Sequence, residues 1–584
     1  MESILYIVSF CVALSGSILA PKTKRINAVS ALMLAYITIL CVGSLSALIL
    51  KILGLKISLH NMTTVYFIMG IVTWGYIAIK RKIQTLEIRL CDIVGLLVGT
   101  FVVCIIAIHI FTIYLHLNYN NMVDPSSHFY YAMQIVRTEN ISGMYFTQLH
   151  NAMLMQVIIP FLPKSWNYKA FILADCYHTL IEYFFFYGFI IYLMRNRKYN
   201  KYLPIFFSLL YWLGYPLYSF ANGAYVYWAM GATLTFYVFW LLKIYEDAVD
   251  KPTRFLSVGL VVLGCFSTTM CYVQFAPIVI FSTAVIILFQ AISLKKFTLN
   301  YTRIIQVVVF FCIGIAIIFG GYYFIFYRTG LNIFAGLAIG NNTSKNLELL
   351  FVMPIFYCIM YKRIREKRFD AYILCFLCFS VFHIIMILFS TLELVSSYYL
   401  FKDNYIMWGL LFIILLAESS DLSINEKKYI KHYGILGSIC LLFMYTPQKQ
   451  LETTDSFSID NSIYRHNAAL FVENDFRHAV ADYCTNLMEY VAENYDYRED
   501  GEKVAFVGTN WYKGIGQWYS AISGQPYFFQ SPINPEDIDE YLRVINADYI
   551  LVYYESDAYS EETQYFDSFE KVYDTSDGFI GKVK

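Results

Sequence analysis

The stretch AVSALMLAYITILCVGSLSALIL, from Ala28 to Leu50, contains no charged residue and decides the class of the fold. A run of about 20 apolar residues is long enough to cross the hydrocarbon core of a bilayer as a helix. Basic residues stand on both sides of it, PKTKR before and Lys51 after. Similar runs recur along most of the chain, so the sequence predicts a membrane protein with many spanning helices.

The overall composition supports this prediction. Of the 584 residues, 58% are hydrophobic and 15% are charged, whereas soluble domains have roughly 45–50% apolar and about 25% charged residues. The net charge is zero, and no strongly basic groove is indicated, so we expect no nucleic-acid partner. The 13 cysteines lie mostly in apolar runs. The CFLC pair, Cys375 and Cys378, is interpreted as helix packing and not as a metal site.

Reading each apolar run between charges as one helix predicts about fourteen spans. Glu2 precedes the first run, and its basic residues follow it, which favours an uncleaved span with the N-terminus outside. The predicted spans are Ile4–Ala20, Ala28–Leu50, Thr63–Ile79, Leu90–Leu115, Ala170–Met194, Tyr202–Tyr218, Tyr225–Leu242, Leu256–Met270, Tyr272–Ile292, Ile304–Phe326, Leu347–Met360, Ala371–Phe389, Tyr405–Ala417 and Gly434–Met444.

The charges of the loops predict the orientation. Alternate loops carry PKTKR, KRK, RNRKYNK, KPTR, LKK, KRIREKR and NEKKYIK, while the loops between them hold few Lys or Arg residues. Because basic loops stay in the cytoplasm, the other loops face outward. We therefore expect a multi-pass protein of the plasma membrane. Its long loop, residues 116–168, and its C-terminal part would share the extracytoplasmic side.

The chain divides into two predicted domains. Residues 1–445 form the membrane part, and residues 446–584 are richer in Glu, Asp, Asn and Lys. In the second part, KVAFVG is typical of a buried strand, and PEDIDEYLRVINADYILVYY predicts a helix followed by a strand. Helices alternating with strands indicate a small extracytoplasmic α/β domain. Trp511, Tyr512 and Trp518 there fit either carbohydrate contact or core packing.

The long loop concentrates charge in NMVDPSSHFYYAMQIVRTENISG, Asn121 to Gly143. SSHFYYAMQIVRT predicts a helix opened by Ser126 or Ser127, and NAMLMQVIIPFL, too short to span, predicts an interfacial helix. A carboxylate such as Asp124 can take a proton from a hydroxyl. His128, four residues on, shares its helix face, and Arg137 can bind a phosphate. The alternative is that Asp124 only caps the helix and that the other two are surface residues.

With this loop in place, the layout resembles a GT-C-type glycosyltransferase. VDPSSHFYYAMQIV is similar to the Asp-x-x-x-His helix start of many members, and FTQLHNAMLMQVIIPFL stands where members have a second loop helix. The resemblance covers the topology of the whole chain and indicates no subfamily. Many members have two adjacent acids here, whereas this chain has only Asp124, so the second acidic role is open.

The resemblance implies an inverting hexosyl or pentosyl transferase with a polyprenyl-phosphate sugar as donor. The acceptor would be a cell-surface glycan, a lipid-linked glycan or a protein. Asp124 is then the candidate general base, while His128 and Arg137 would hold acceptor or phosphate. A divalent metal, Mg²⁺ or Mn²⁺, stays open, because one carboxylate and one imidazole are too few to define a site.

Other polar residues occur within or beside apolar runs. Asp175, His178 and Glu182 share one face of the fifth span. Asp175 and His178 either line the floor of the site or, with Glu182, form a polar seam between helices; in a transporter they would be a proton relay. Arg328 and Lys402 end spans on the outer side, where they either bind the lipid phosphate or snorkel. Glu393 could supply the second carboxylate.

Two other functions stay open. A polymerase or ligase of lipid-linked polysaccharides would use the same lipid chemistry, but such proteins usually place their large outer loop late in the chain. A transporter or flippase of lipid-linked sugars usually shows paired halves with broken helices, and the sequence contains no internal repeat.

Overall fold

The computed structural model describes most of the chain. The described residues are 1–20, 26–115, 118–119, 124–195, 202–223, 226–248, 251–293, 361, 370–392, 398–421, 477–478, 480–498, 501–508, 514–529 and 534–583. Three predicted spans, Ile304–Phe326, Leu347–Met360 and Gly434–Met444, lie outside them.

The first 421 residues are helical wherever the structure describes them, apart from short turns and three two-residue strands. Asn27 caps the second helix by accepting a hydrogen bond from the Val29 amide at 2.9 Å, which places its start at Ala28. The helices are α1 (Glu2–Leu19), α2 (Ala28–Ile52), α3 (Leu59–Lys80), α4 (Leu90–Leu115), α5 (Asp124–Thr138), α6 (Leu149–Ile158), α7 (Asn167–Met194), α8 (Leu203–Gly223), α9 (Val226–Asp247), α10 (Lys251–Cys271), α11 (Ala276–Ser293), α12 (Ala371–Thr391) and α13 (Tyr398–Asp421).

Seven of these helices are long and apolar enough to cross a membrane, namely α1, α2, α3, α4, α7, α8 and α10. Shorter apolar stretches occur in α11, α12 and α13. The predicted span Tyr225–Leu242 is a helix, α9, but it is not among the seven. Its Tyr, Trp and Thr side chains make it less apolar, and neighbouring helices cover nearly all of them.

The helices pack around a buried centre. Most residues of α2 and α7 are buried, whereas α1, α3 and α4 leave large apolar side chains such as Phe67, Ile71 and Phe101 exposed. Exposed apolar faces on the outer helices are what lipid contact requires. Gly95 and Gly99 of α4 lie against Tyr187 and Tyr183 of α7, so close that an added Cβ would collide with either ring. Small residues of this kind let membrane helices approach each other.

The C-terminal α/β region, residues 477–583, contains the elements expected from its sequence. Asn534 caps one helix by accepting from the Glu536 amide at 3.2 Å, and Pro535 and two acids occupy its first turn, a favourable helix start. The elements are β4 (Arg477–His478), α14 (Asp482–Asn494), β5 (Val504–Val507), α15 (Ile515–Ser523), β6 (Phe528–Phe529), α16 (Pro535–Ile545), β7 (Tyr549–Tyr553), α17 (Asp557–Glu561), α18 (Thr563–Phe566), β8 (Glu570–Asp574) and β9 (Gly578–Lys582).

The sheet of this region has the order β6-β5-β7-β9-β8. β6, β5 and β7 run parallel, and β9 pairs antiparallel with both β7 and β8. Two short pairings occur elsewhere: β1 (Ile26–Asn27) lies parallel to β2 (Leu86–Glu87), and β3 (Asn118–Tyr119) lies antiparallel to β4. The β3–β4 pair joins the long loop of the membrane part to the C-terminal α/β region.

Candidate functional site

Helix α5 begins at Asp124, before the start predicted at Ser126 or Ser127. Pro125 follows it directly, and proline in the first turn is compatible with a helix because its missing N–H is not needed there. A carboxylate at this position is stabilised by the positive end of the helix dipole. Asp124 is half-buried, and His128, one turn later, is buried.

Lys402 lies in the first turns of α13 and is only 4% exposed. Burial disfavours its positive charge, and the Asp124 carboxylate opposes this effect electrostatically. The Lys402 ammonium nitrogen also lies 5.2 Å from the centre of the Trp228 ring and 5.2 Å from the centre of the Tyr272 ring. The structure therefore brings together an acid and a base that are far apart in the chain, and it places aromatic rings around the cation.

His128 belongs to the same group. Its ring packs edge-on against Tyr227, with 5.0 Å between the ring centres, and Tyr227 lies 5.8 Å from Tyr272. The Tyr272 hydroxyl donates a 2.6 Å hydrogen bond to Gln274 Oε1, which orients its ring. We call Asp124, His128, Tyr227, Trp228, Tyr272 and Lys402 the Asp124–Lys402 cluster.

The chemistry of this cluster is defined by its groups. A carboxylate at the start of a helix can accept a proton from a hydroxyl. A lysine ammonium and an imidazole can bind a phosphate or another anion. Aromatic rings supply flat apolar surfaces with a polar edge. Together the groups suit a polar substrate that carries negative charge at one end.

Arg137 is not brought to this cluster. It lies thirteen residues after Asp124 on the same helix, which corresponds to about 20 Å along the axis. Its Nη2 donates to Gln134 Oε1 at 3.3 Å, and its guanidinium lies 5.7 Å from the centre of the Tyr527 ring. Arg137 therefore contacts the C-terminal α/β region.

The predicted polar face of α7 forms a second, deeper group. Asn151 Nδ2 of α6 donates to Asp175 Oδ1 at 2.9 Å. His178 lies beside His150, with 6.5 Å between the ring centres. In the part of the chain that the structure describes, neither ring nitrogen of His178 and neither carboxylate oxygen of Glu182 has a hydrogen-bond partner, although both residues are buried. Buried polar groups without partners are costly and often functional.

A cavity of about 470 Å³ adjoins this deeper group. His150 and His178 line its polar end, and its remaining wall consists almost wholly of apolar and aromatic side chains from α1, α2, α3, α6 and α7. The tyrosines among them are Tyr6, Tyr36, Tyr66 and Tyr177. Ile7 and Cys11, which line the cavity on α1, are also exposed on the outside of the bundle. Exposed residues of α1 therefore form part of the cavity wall.

A small cleft lies between the residues of this cavity and those of the Asp124–Lys402 cluster. It is lined by His150 and His178, which also line the large cavity, and by Tyr227, which contacts His128. The helix predicted to lie at the interface, α6, supplies His150 and Asn151, and most of its side chains are buried against the bundle. Burial lowers the pKa of His150 to about 4, so this imidazole is neutral at pH 7.

Several expected residues cannot be placed. Arg328, Glu393, Trp511 and Tyr512 lie outside the described residues, and Trp518 is fully buried in α15.

Among the described residues no group of three or more His, Cys, Asp or Glu side chains is arranged to hold a metal ion, so the expectation of Mg²⁺ or Mn²⁺ gains no support.

The sequence did not single out the aromatic members of the cluster. Tyr227 and Trp228 lie in GAYVYWAM at the start of α9, and Tyr272 lies in MCYVQF after α10. Their position at the ends of apolar runs next to predicted outer loops is the one signal that could have indicated them. His150 was missed as well, although it stands one residue before Asn151 in the same loop.

The fold and the polar groups define a helical membrane protein with a charged aromatic cluster and a largely apolar cavity. Comparison of the chain with models of known protein families and with curated protein sequences gave no match.

Proposed function

We propose that the protein is a membrane glycosyltransferase of the GT-C type that transfers a sugar from a polyprenyl-phosphate donor to a glycan, lipid-linked or protein acceptor. The observation that carries the proposal is that Lys402 is buried against the Trp228 and Tyr272 rings, near enough to Asp124 for the two charges to interact. This arrangement supplies a base for the acceptor hydroxyl and a cation for the phosphate in one place.

In the proposed reaction the acceptor oxygen attacks the anomeric carbon of the donor sugar and forms the new glycosidic bond. The bond from that carbon to the phosphate oxygen breaks, and its electron pair stays on the lipid phosphate. Asp124 takes the proton of the acceptor hydroxyl as general base. Lys402 stabilises the negative charge that develops on the leaving phosphate, an electrostatic contribution that is strong at a buried position. His128 would hold the acceptor or the phosphate.

The large cavity supports a lipid-linked donor. It is mainly apolar, exposed residues of α1 form part of its wall, and it shares His150 and His178 with the cleft that contains Tyr227. A hydrocarbon chain could therefore lie among the tyrosines while its phosphate stays near the cluster. His178 would line the region between the two places, and Asp175, which accepts a hydrogen bond from Asn151 of the cleft, would support it.

The proposal includes an orientation. With the basic loops in the cytoplasm, α5 and the C-terminal α/β region lie outside the plasma membrane, where the lipid-linked donor is displayed. The full count of about fourteen spans and the separation into domains 1–445 and 446–584 are parts of the same proposal.

A second candidate, a transporter or flippase of lipid-linked sugars, is favoured by one observation. Glu182 and His178 are buried in α7 without hydrogen-bond partners among the described residues. Groups of this kind inside a membrane helix can carry protons. In that case Glu182 would be essential and Asp124 would not.

The deciding experiment compares the surface glycans of host strains that carry Asp124→Asn, Glu182→Gln or Glu139→Gln with those of wild type and a deletion strain. Glu139 is the matched control, because it lies at the other end of α5, 3.6 Å from Lys56. We expect Asp124→Asn, present in the membrane at the normal level, to lose the same sugar as the deletion, and Glu139→Gln to keep it. A wild-type glycan in the Asp124→Asn strain, with loss in the Glu182→Gln strain, would favour the transporter instead.

A further inference from the structure

We propose that Gln517 of the C-terminal α/β region is a positioning residue that holds the first turn of α5 and so places Asp124 relative to Lys402. The role of Asp124 as a base rests on the proposed function, whereas the contact made by Gln517 does not. The inference gives the C-terminal α/β region a role in assembling the site.

The contact consists of two hydrogen bonds to one acceptor. Ser126 Oγ donates to Gln517 Oε1 at 2.9 Å, and Ser127 Oγ donates to the same oxygen at 3.0 Å. The two serines follow Asp124 by two and three residues, and Ser126 is fully buried. Because consecutive residues of a helix point in directions about 100° apart, holding both hydroxyls fixes the rotation of the turn as well as its position.

The backbone of α15 is shaped for this approach. Gly514 precedes α15 with a φ of +77°, a conformation that favours glycine. A Cβ at this residue would lie 3.0 Å from Ser126 Oγ, which is shorter than an ordinary van der Waals contact. Glycine therefore suits both the backbone conformation and the close approach of Ser126. Gln517 follows in the first turn of α15, and the starts of α15 and α5 therefore face each other.

Apolar and cation–π contacts continue along α5. The Phe129 and Trp518 rings, both buried, meet edge-on with 5.4 Å between their centres. Tyr130 meets Phe528 at 6.1 Å, and Arg137 lies over Tyr527 at the far end. The C-terminal α/β region thus covers α5 along its length, and Gln517 supplies the directional contact at the end that carries Asp124.

The consequence concerns geometry. Lys402 is held by α13 and by the rings of Trp228 and Tyr272, whereas Asp124 is held by α5. The distance between the two charged groups therefore depends on the position of α5. Catalysis is sensitive to such positioning, since misplacement by about 1 Å can cost on the order of a hundredfold in rate.

The first test is hydrogen–deuterium exchange of the full chain in lipid nanodiscs, read by mass spectrometry on peptides from Asp124 to Ala132. In Gln517→Ala both serines lose their hydrogen bond to Gln517 Oε1, and we expect exchange there to be faster by on the order of tenfold. Gln517→Glu retains an acceptor oxygen and should restore protection close to wild type. Unchanged exchange in Gln517→Ala overturns the proposal.

Gln525 provides the matched control. It is a buried glutamine of the same region, but its Nε2 donates to the carbonyl oxygens of Asp496 and Glu502, within the region itself. Gln525→Ala should leave the exchange of the α5 peptides at the wild-type level. If it loosens α5 as much as Gln517→Ala does, general stability of the region holds the helix, and the assignment of Gln517 is overturned.

The second test is the surface-glycan assay on the same variants, which separates this inference from the proposed function. We expect Gln517→Ala to lower the sugar content and Gln517→Glu to restore it. Faster exchange in Gln517→Ala, together with wild-type glycan in both Gln517→Ala and Asp124→Asn, would retain the positioning contact and reject the glycosyltransferase. Normal exchange in Gln517→Ala, together with sugar loss in Asp124→Asn, would reject the positioning contact and retain the glycosyltransferase.

Discussion

The ammonium group of Lys402, on α13, faces the ring of Trp228, on α9, with 5.2 Å between the nitrogen and the ring centre. The two residues are far apart in the chain, and each lies near the beginning of its helix. A cation over an aromatic ring is stabilised by about 0.5–2 kcal/mol, depending on its exposure to water. Burial disfavours the lysine charge, and the contact with the ring and the Asp124 carboxylate both oppose that effect.

Lys402→Met should abolish the proposed sugar transfer while the protein stays folded. Methionine keeps the apolar stem but removes the cation that the leaving phosphate needs. Removing one partner of a buried charge pair is usually destabilising, although the variant also avoids the cost of burying the lysine charge. The unfolding temperature in detergent should therefore fall slightly, with the protein still folded. Surface-glycan composition and thermal unfolding of the purified protein measure the two effects.

Lys169 is the matched control for this variant. It also lies over a tryptophan ring, with 4.6 Å between its Nζ and the centre of Trp166, but it is not part of the cluster. Lys169→Met should leave the glycan unchanged. Equal losses in the two variants would show that any stacked lysine of this surface is required, and the special role of Lys402 would be refuted.

Cys11 reports on the large cavity, because it lines that cavity and is exposed on α1. If a polyprenyl chain occupies the cavity, adding a polyprenyl phosphate to the protein in nanodiscs should slow the alkylation of Cys11 by a lipid-soluble maleimide several-fold. Cys104 on α4 is half-buried and does not line the cavity, so its alkylation should not change. Equal rates at Cys11 with and without the lipid would count against occupancy.

Gly99 tests the packing of α4 on α7. An added Cβ would collide with the Tyr183 ring, whose hydroxyl donates to the Gly95 carbonyl at 3.2 Å. Gly99→Ala should therefore destabilise the protein by roughly 1–3 kcal/mol, the usual cost of overpacking. Gly75 on α3 has nothing within 4 Å of its Cβ position, so Gly75→Ala should be neutral or slightly stabilising. Thermal unfolding in detergent compares the two, and a stable Gly99→Ala protein would refute the close contact.

The helices of the membrane part were predictable because hydropathy alone marks them. The predicted span Leu90–Leu115 has the bounds of α4, and α2 begins at the predicted Ala28. Errors are at the ends: α7 begins at Asn167, three residues before Ala170, because a helical turn at Lys164–Trp166 leads into it. Hydropathy does not measure such turns, which depend on local hydrogen bonds.

The sequence named Asp124, His128 and Lys402 as candidates, but it predicted proximity only for residues that are neighbours in the chain. Asp124 and His128 are four residues apart on one helix, so their shared face follows from helix geometry. The same geometry already excludes Arg137, which lies about 20 Å further along the axis. Lys402, Trp228 and Tyr272 meet through the packing of α9, α10 and α13, and Gln517 reaches Ser126 through the C-terminal α/β region. Contacts of this kind depend on tertiary structure, for which a single sequence gives no signal.

The last prediction concerns pH and His150. Burial lowers the pKa of this imidazole from 6.5 to about 4 in the folded protein, and the unfolded chain has the ordinary value near 6.5. Between these two values the unfolded chain binds a proton that the folded protein does not, so stability falls as the pH falls. The contribution of His150 is complete above about pH 6.5 and is lost progressively toward pH 4.

His150→Gln, which cannot titrate, should flatten the decline of the unfolding temperature between pH 6.5 and 4, measured in detergent. His60, which is exposed in the first turn of α3, is the matched control, and His60→Gln should keep the wild-type slope. The glutamine amide can still bond to Ser44 Oγ, the partner of His150 Nε2 at 3.1 Å, so loss of that contact would not explain a changed slope. A wild-type slope in His150→Gln would mean that the protonation of other groups governs acid unfolding.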